Sequence, residues 1–349
     1  MRDEAASEQQ TKELDKWRAW DEFLELNTDA GFRQSSWYVA FTGSKSFGTV
    51  LREGATVVGG AIIIKRLFTP KMCYYYIPDG PVFLKGDSEA GQEQVFSAIM
   101  EFIERKRQKD QQVVSHLCIN PLWEHMPSFV TGFQESSHFY GLPRNTQYID
   151  LSPSESAILT QMKPKGRYNI GVAQRYGVLI TEDTSTQGVE DFLNICEEMY
   201  ARKSLGEFDR NFFRELVPMF STSERGSVFF AEYQGVRLAT ALVVYFGRTA
   251  TYWYGGSRAI HRNVMAPYLL QFEIMRKAKA RGCRCYDLFG VTPQSEGFSS
   301  WTNFSVFKRK FGGRELRRVP TLEYIYDPVA YREWEVWHPR SLGNNDCPL

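Results

Sequence analysis

The chain has 349 residues, of which 43% are hydrophobic, 15% aromatic and 24% charged, and its formal net charge is +1. That balance excludes a disordered chain and leaves room for two domains of ordinary size. No run approaches the ~20 consecutive apolar residues that span a bilayer, and the polar stretch Met1 to Lys16 has neither the cationic end nor the apolar run of a secretory signal, so a cytoplasmic location is expected. Residues 1–16 read as a polar lead-in to a helix carrying Trp17, Trp20, Phe23 and Leu24. Strands are predicted at Val57–Leu67 and Cys73–Ile77, followed by the turn Pro78-Asp79-Gly80-Pro81. A helix from about Glu93 to Lys109 has Val95, Phe96, Ile99, Phe102 and Ile103 on one side and ends in Arg105, Lys106 and Arg107, which suit the helix dipole. A strand at Val113–Ile119 completes this set.

After Asp150-Leu151-Ser152 the same order returns. A helix is predicted over Val189–Lys203, where Phe192, Ile195, Cys196, Met199 and Tyr200 follow the i, i+3, i+4, i+7, i+8 pattern. Strands follow at Ser227–Tyr233, Leu238–Phe246 and Thr249–Tyr254, with Gly247-Arg248 as a tight turn. A helix from about Ala266 to Arg281 stops at Gly282 and feeds a strand at Cys285–Phe289. This order of elements is that of a GNAT-type acyltransferase core. That fold usually holds coenzyme A through a glycine-rich loop at the start of its central helix, but Arg262-Asn263-Val264-Met265-Ala266-Pro267 contains no glycine. A different activated acyl donor that still carries phosphate is expected.

The six cysteines are scattered and read as buried hydrophobes, and the pair Cys283 and Cys285 lacks a second pair or a nearby histidine that would make a zinc site. No H-E-x-x-H or G-x-S-x-G is present, which removes most support for a metalloenzyme or hydrolase. Charge, by contrast, is concentrated. Trp301 to Arg318, W-T-N-F-S-V-F-K-R-K-F-G-G-R-E-L-R-R, has six basic residues against one acid, and Phe304, Val306 and Phe311 predict an alternating strand that would fix Lys308 in place. A second run, Lys163 to Val178, holds Lys163, Lys165, Arg167 and Arg175 with no acid. Two such runs in a near-neutral chain point to phosphate-bearing partners.

Four segments taken in order, R-Y-N-I-G-V-A-Q-R-Y-G-V at Arg167 to Val178, T-Y-W-Y-G-G-S-R at Thr251 to Arg258, Y-D-L-F-G-V at Tyr286 to Val291 and F-S-V-F-K-R-K-F-G-G at Phe304 to Gly313, resemble the Fem family of tRNA-dependent aminoacyl transferases. Members of that family add amino acids to peptidoglycan precursors. The resemblance runs from about Trp17 to Arg332 and implies an α/β fold of two tandem GNAT-like domains with mixed sheets. The first would cover 17–150, joined by a segment of about 319–340, and the second 151–318. The implied reaction is attack by an amine of a stem peptide on the ester of aminoacyl-tRNA, so positioning and oxyanion stabilisation suffice, with no metal and no cofactor beyond the aminoacyl-tRNA co-substrate. By resemblance Lys308 is the catalytic lysine near the reacting ester, with Phe307 beside it. Arg309, Lys310, Arg314, Arg317 and Arg318 become partners for the tRNA backbone. The run holding Lys163, Lys165 and Arg167 would meet either RNA or a pyrophosphate. Tyr254, next to Gly255-Gly256, is placed in the cleft.

Departures from the pattern fall on the acceptor side. Trp37 and Tyr38 occupy the segment where relatives grip the precursor's pyrophosphate, but the lysine that follows the tryptophan there is missing. The second phosphate-binding arginine could be Arg202 or Arg210. Asn120-Pro121 stands where some relatives have Asp-Pro, so a general-base carboxylate is unavailable at that point. A lipid-linked precursor, reached peripherally at the membrane, or some other acceptor is favoured over a nucleotide-linked one. A tRNA-dependent amide or dipeptide former and an acyl-CoA N-acyltransferase are the alternatives.

Overall fold

The longest apolar run of the first half, V-V-G-G-A-I-I-I, lies in the buried middle of a strand whose two ends are wetter, as expected of a strand covered on both faces. The structure is a computed structural model that describes residues 15–27, 30–43, 45–138, 140–205, 208–292 and 302–338. It divides into two units: residues up to Arg144 together with those from Arg318 make the first, and Asn145–Arg317 the second. The chain enters the first unit with α1 (15–26) and α2 (Ser36–Phe41), then β1 (Ser46–Glu53), β2 (Thr56–Thr69), β3 (Met72–Pro78), β4 (Val82–Phe83), α3 (Glu89–Arg107), β5 (Val113–Asn120) and β6 (Gln134–Glu135). The second unit follows with β7 (Asn145–Asp150), α4 (Glu155–Gln161), α5 (Pro164–Arg175), β8 (Leu179–Glu182), α6 (Thr186–Lys203), α7 (Arg210–Thr222), β9 (Gly226–Tyr233), β10 (Val236–Phe246) and β11 (Thr249–Ser257). It continues through α8 (Ala266–Ala280), β12 (Cys285–Gly290), α9 (Thr302–Lys308) and β13 (Arg314–Arg317). The chain then returns to the first unit as β14 (Leu322–Ile325) and α10 (Pro328–Trp337).

The first sheet runs β1-β2-β3-β5-β14-β6, with β4 on β2, and the second runs β13-β7-β12-β11-β10-β9-β8. Each contains one parallel contact, β3 with β5 and β11 with β12, inside otherwise antiparallel pairing. Strand β7 belongs to the second sheet, because both its edges are used there by β12 and β13. That places the change of unit ahead of residue 150.

Local chemistry explains the helices that matter for the site. Ser185 caps α6 by accepting from the Gly188 N–H at 3.2 Å, and Phe192, Ile195, Cys196 and Met199 are buried on one face against β10 and β11. Pro267 sits in the first turn of α8, where its missing N–H costs nothing. The strand expected around Lys308 is instead the helix α9. Ser305, Lys308 and Phe311 are buried while Val306 is 48% exposed, a spacing of three rather than two.

Candidate functional site

Strand β12 lies beside β11 for only three residue pairs, from Thr249↔Cys285 to Thr251↔Asp287. Beyond Thr251 the two part, and the residues Tyr252 to Ser257 of β11 and Phe289 of β12 line a cavity of about 480 Å³. Helices α6, α8 and α9, strand β10 and the connection from β11 to α8 supply its other walls. Phe289 adopts φ 62°, a left-handed backbone rarely used by a bulky side chain, at the register shift between β12 and β7. Its N–H donates to the Asp287 carboxylate at 2.7 Å, which supports that conformation. Such strain concentrates at functional sites.

Lys308 is the last residue of α9 and only 7% exposed. Its ammonium donates to the Gly290 carbonyl at 2.7 Å and stands 5.9 Å from the Tyr252 ring centroid. The hydroxyl of Ser305 accepts from the Thr292 N–H at 2.8 Å, so two bonds fix α9 to the end of β12. A buried cation held this way in a cavity wall acts on an anion more strongly than one in bulk water. Phe307, also in the wall, meets Tyr268 at 5.0 Å and Phe311 at 5.2 Å.

Tyr252, Trp253 and Tyr254 all reach the cavity, although Tyr254 is buried against Phe213 with ring centroids 4.5 Å apart. Burial, with Cys196 and Tyr200 nearby, pushes the Tyr252 hydroxyl well above its ordinary pKa, so it is a neutral donor at physiological pH. Gly255 makes this packing possible. A Cβ there would stand 2.5 Å from both the Tyr252 hydroxyl and the Thr240 carbonyl.

Electrostatically the cavity is one-sided. Arg202, Lys203, Arg258, Arg262 and Lys308 line it, and none of the described lining residues is an acid. The Arg202 guanidinium donates to the Ser257 carbonyl at 2.6 Å and lies 3.6 Å from Glu198, which is also 3.8 Å from Arg258. Of the two arginines raised by the sequence, only Arg202 is in the wall. Arg210 is held by Glu190 at 2.9 Å and Glu197 at 2.6 Å and joins α6 to α7. Arg258, Arg262 and Phe289 escape sequence reasoning. The first two are ordinary-looking loop arginines, and a positive φ at phenylalanine leaves no trace in composition.

The two basic runs, some 140 residues apart, meet in the second unit. The Lys163 N–H donates to the Lys310 carbonyl at 3.0 Å, and Gly166 abuts that carbonyl so closely that a Cβ would lie 2.5 Å from it. Lys163, Lys165 and Arg167 are exposed, and the Arg167 guanidinium also donates to the carbonyls of Thr160 and Met162. The Lys310 ammonium donates to the Tyr268 hydroxyl at 2.9 Å. Arg309 forms a two-pronged pair with Glu315 at 3.0 and 2.9 Å, a self-contained arrangement that competes with any RNA contact. Arg314 and Arg317 lie exposed on β13. Arg318 departs from expectation: it is 4% exposed and donates to the Pro143 carbonyl at 3.2 Å, so its charge is spent inside the first unit.

Trp37, Tyr38 and Asn120 belong to the first unit. Trp37 stacks on Phe32 at 6.3 Å, while burial pushes the Tyr38 hydroxyl up to about 12. The Asn120 amide is 2% exposed and donates to Thr321 at 2.8 Å.

The FemAB family profile matches residues 106–234 and 224–338, well over half of the chain. The chain belongs to the FemAB family. Over 194 residues this FemAB protein is 26% identical to a UDP-N-acetylmuramoylpentapeptide-lysine N(6)-alanyltransferase of Weissella viridescens, a match covering 55% of this chain and 56% of that one. Over 110 residues it is 27% identical to a lipid II:glycine glycyltransferase of Staphylococcus epidermidis, covering 32% and 26%. The FemAB chain thus spans about half of the first relative's length and about a quarter of the second's. A crystal structure of FemX shares its fold, with a TM-score of 0.79 at 14% identity over 91% of this chain and 98% of that one. The mixed α/β architecture is that of tandem GNAT-like acyltransferases.

Proposed function

We propose that this FemAB protein transfers an amino-acyl group from aminoacyl-tRNA to an amine of a peptidoglycan stem peptide, working from the cytoplasmic side. The observation that carries this reading is the cavity at the parting of β11 and β12, whose described walls hold five cations and no acid, with the buried Lys308 ammonium among them. An acyl donor bearing phosphates fits a cavity lined by five cations. The amine nitrogen attacks the ester carbonyl and loses a proton, the carbonyl oxygen gains charge, and the ester C–O bond breaks to release the ribose hydroxyl of the tRNA with a proton. Lys308 supplies the positive charge that steadies the oxyanion, and Phe307 packs beside it. An ester is already activated, so placing the two substrates accounts for much of the rate. The names of the two curated relatives support precursors with a nucleotide or a lipid carrier as acceptor. No described helix is long and apolar enough to cross a membrane, so a lipid-linked acceptor would be met peripherally.

The test supplies labelled amino acids on a mixed pool of bacterial tRNA together with lipid-linked or nucleotide-linked precursor, and runs coenzyme A thioesters as a parallel donor. Label arriving in either precursor from tRNA supports the proposal and names the amino acid and the acceptor. Label arriving only from a thioester overturns it.

A further inference from the structure

On the solvent side of α5, beyond the cavity, two tyrosines are exposed, and a third, Tyr233, is half-buried against the core beside them. Tyr168 is 58% exposed and Tyr176 47%. The Lys165 ammonium lies 4.8 Å from the Tyr168 ring centroid and the Arg175 guanidinium 5.9 Å, both within cation–π range. Tyr176 meets the ring of Tyr233 edge-on at 6.0 Å, and Tyr233 meets His261 at 5.5 Å. His261 is exposed and belongs to the cavity wall. The ring contacts thus lead from the cavity rim at His261 through Tyr233 to Tyr176, and Tyr168 stands about two helical turns further back on α5. The segment 163–178 that carries it has four cations and no acid.

Single exposed aromatics are common and need no explanation. A succession of them that starts at a cation-lined cavity and is flanked by lysine and arginine is different. It offers both groups that an unpaired polynucleotide needs, ring faces for its bases and fixed positive charge for its phosphates. A duplex hides its base faces and could use only the charge. Such a succession also suits a strand better than a plane such as a membrane surface. We infer that Tyr168, Tyr176 and Tyr233 form a stacking track for single-stranded RNA, guiding the unpaired 3′ end of the donor into the cavity. This rests on the tRNA-dependent reading above and adds to it the path of the donor and the residues that hold it.

The experiment measures anisotropy of a short fluorescein-labelled single-stranded RNA, the same sequence as a duplex, and anionic phosphatidylglycerol vesicles, each against the full chain. Tyr168→Ala and Tyr176→Ala should each weaken single-strand binding by about 5- to 150-fold. Tyr168→Phe should retain it, and duplex binding should hardly change. Both positions are exposed, so thermal melts should match the parent. Alanine variants that bind the single strand as well as the parent overturn the track, as do variants that lose vesicle binding alone. Transfer from charged tRNA by the parent separates the two ideas. If the parent transfers and the alanine variants do so with unchanged KM, the track falls and the transferase reading stands. If the parent neither binds RNA nor transfers from tRNA, both fall.

Discussion

Each sheet has one parallel strand pair, and the two pairs behave differently. In the first unit β3 and β5 stay together from Met72↔Val113 to Pro78↔Asn120, with β14 antiparallel on the far side of β5. In the second unit β11 and β12 separate after Thr251↔Asp287, with β7 antiparallel on the far side of β12. The first sheet is backed by a closed polar network. Glu323, fully buried on β14, accepts hydrogen bonds from Ser136 at 2.7 Å, Tyr140 at 2.7 Å and Tyr331 at 2.6 Å, and Tyr140 also meets His116 at 3.1 Å. The second sheet opens and is lined with cations instead. One topology thus serves as a sealed structure or as a receptacle, and what decides is where the parallel pairing stops.

Lys308→Met makes the harshest test of the open sheet. It keeps a long side chain beside Tyr252 while removing the charge, and transfer should fall by about 10²- to 10³-fold with the fold intact by circular dichroism. Transfer at near parental rate would show that the opening does not carry the chemistry. For the sealed sheet, the sensitive group is His116, held at about 3 by burial, with His138 and His338 adding to the effect. Its ring is neutral in the fold, whereas the unfolded ring takes a proton near its ordinary 6.5. The unfolded chain therefore binds more protons as pH drops, and stability falls with acid by about 1.4 kcal/mol per pH unit at most. Urea midpoints at pH 7 and at pH 5 should differ for the parent, and the difference should shrink in His116→Asn.

Smaller effects probe the edge of the opening. Gly255→Ala forces a methyl group against Tyr252 and Thr240 and should cost about 1–3 kcal/mol by denaturant titration, together with weaker donor binding. An alanine tolerated without loss would mean that β11 can shift freely there. Least disruptive should be Arg210→Ala, whose partners are partly solvated carboxylates, at about 1 kcal/mol or less with transfer unaffected. Arg202→Ala is its counterpart in the cavity wall and should raise the KM for donor. Equal KM values for the two variants would remove Arg202 from the binding surface.

Much of the fold was legible because its elements have clean periodicity. The buried face of α6, the paired strands β10 and β11, and the set β2, β3, α3 and β5 all follow from apolar spacing and turn residues. The misreading at Phe304 to Phe311 came from Val306, which suggested alternation but faces solvent, while buried Ser305 and Lys308 carry the helical spacing. A polar residue inside a helix face is hard to distinguish from a surface one by pattern. The site was legible as a collection of charges but not as a place. That Lys163 and Lys310 share a backbone hydrogen bond, or that Arg202 faces the cavity while Arg210 does not, depends on tertiary packing. Arg318 shows the reverse error, a charge in a basic run that packing has buried.

The return of β14 to the first sheet has a bearing on synthesis. The second unit is one unbroken stretch, Asn145–Arg317, and can close as soon as it has left the ribosome. The first sheet cannot, because the place between β5 and β6 is filled only by Leu322–Ile325, which are made after the whole second unit. Until then β5 exposes an unpaired apolar edge of the kind that recruits other strands. The sheet begun first along the chain is therefore the one completed last, and its β5 edge stays open while the whole second unit is being made.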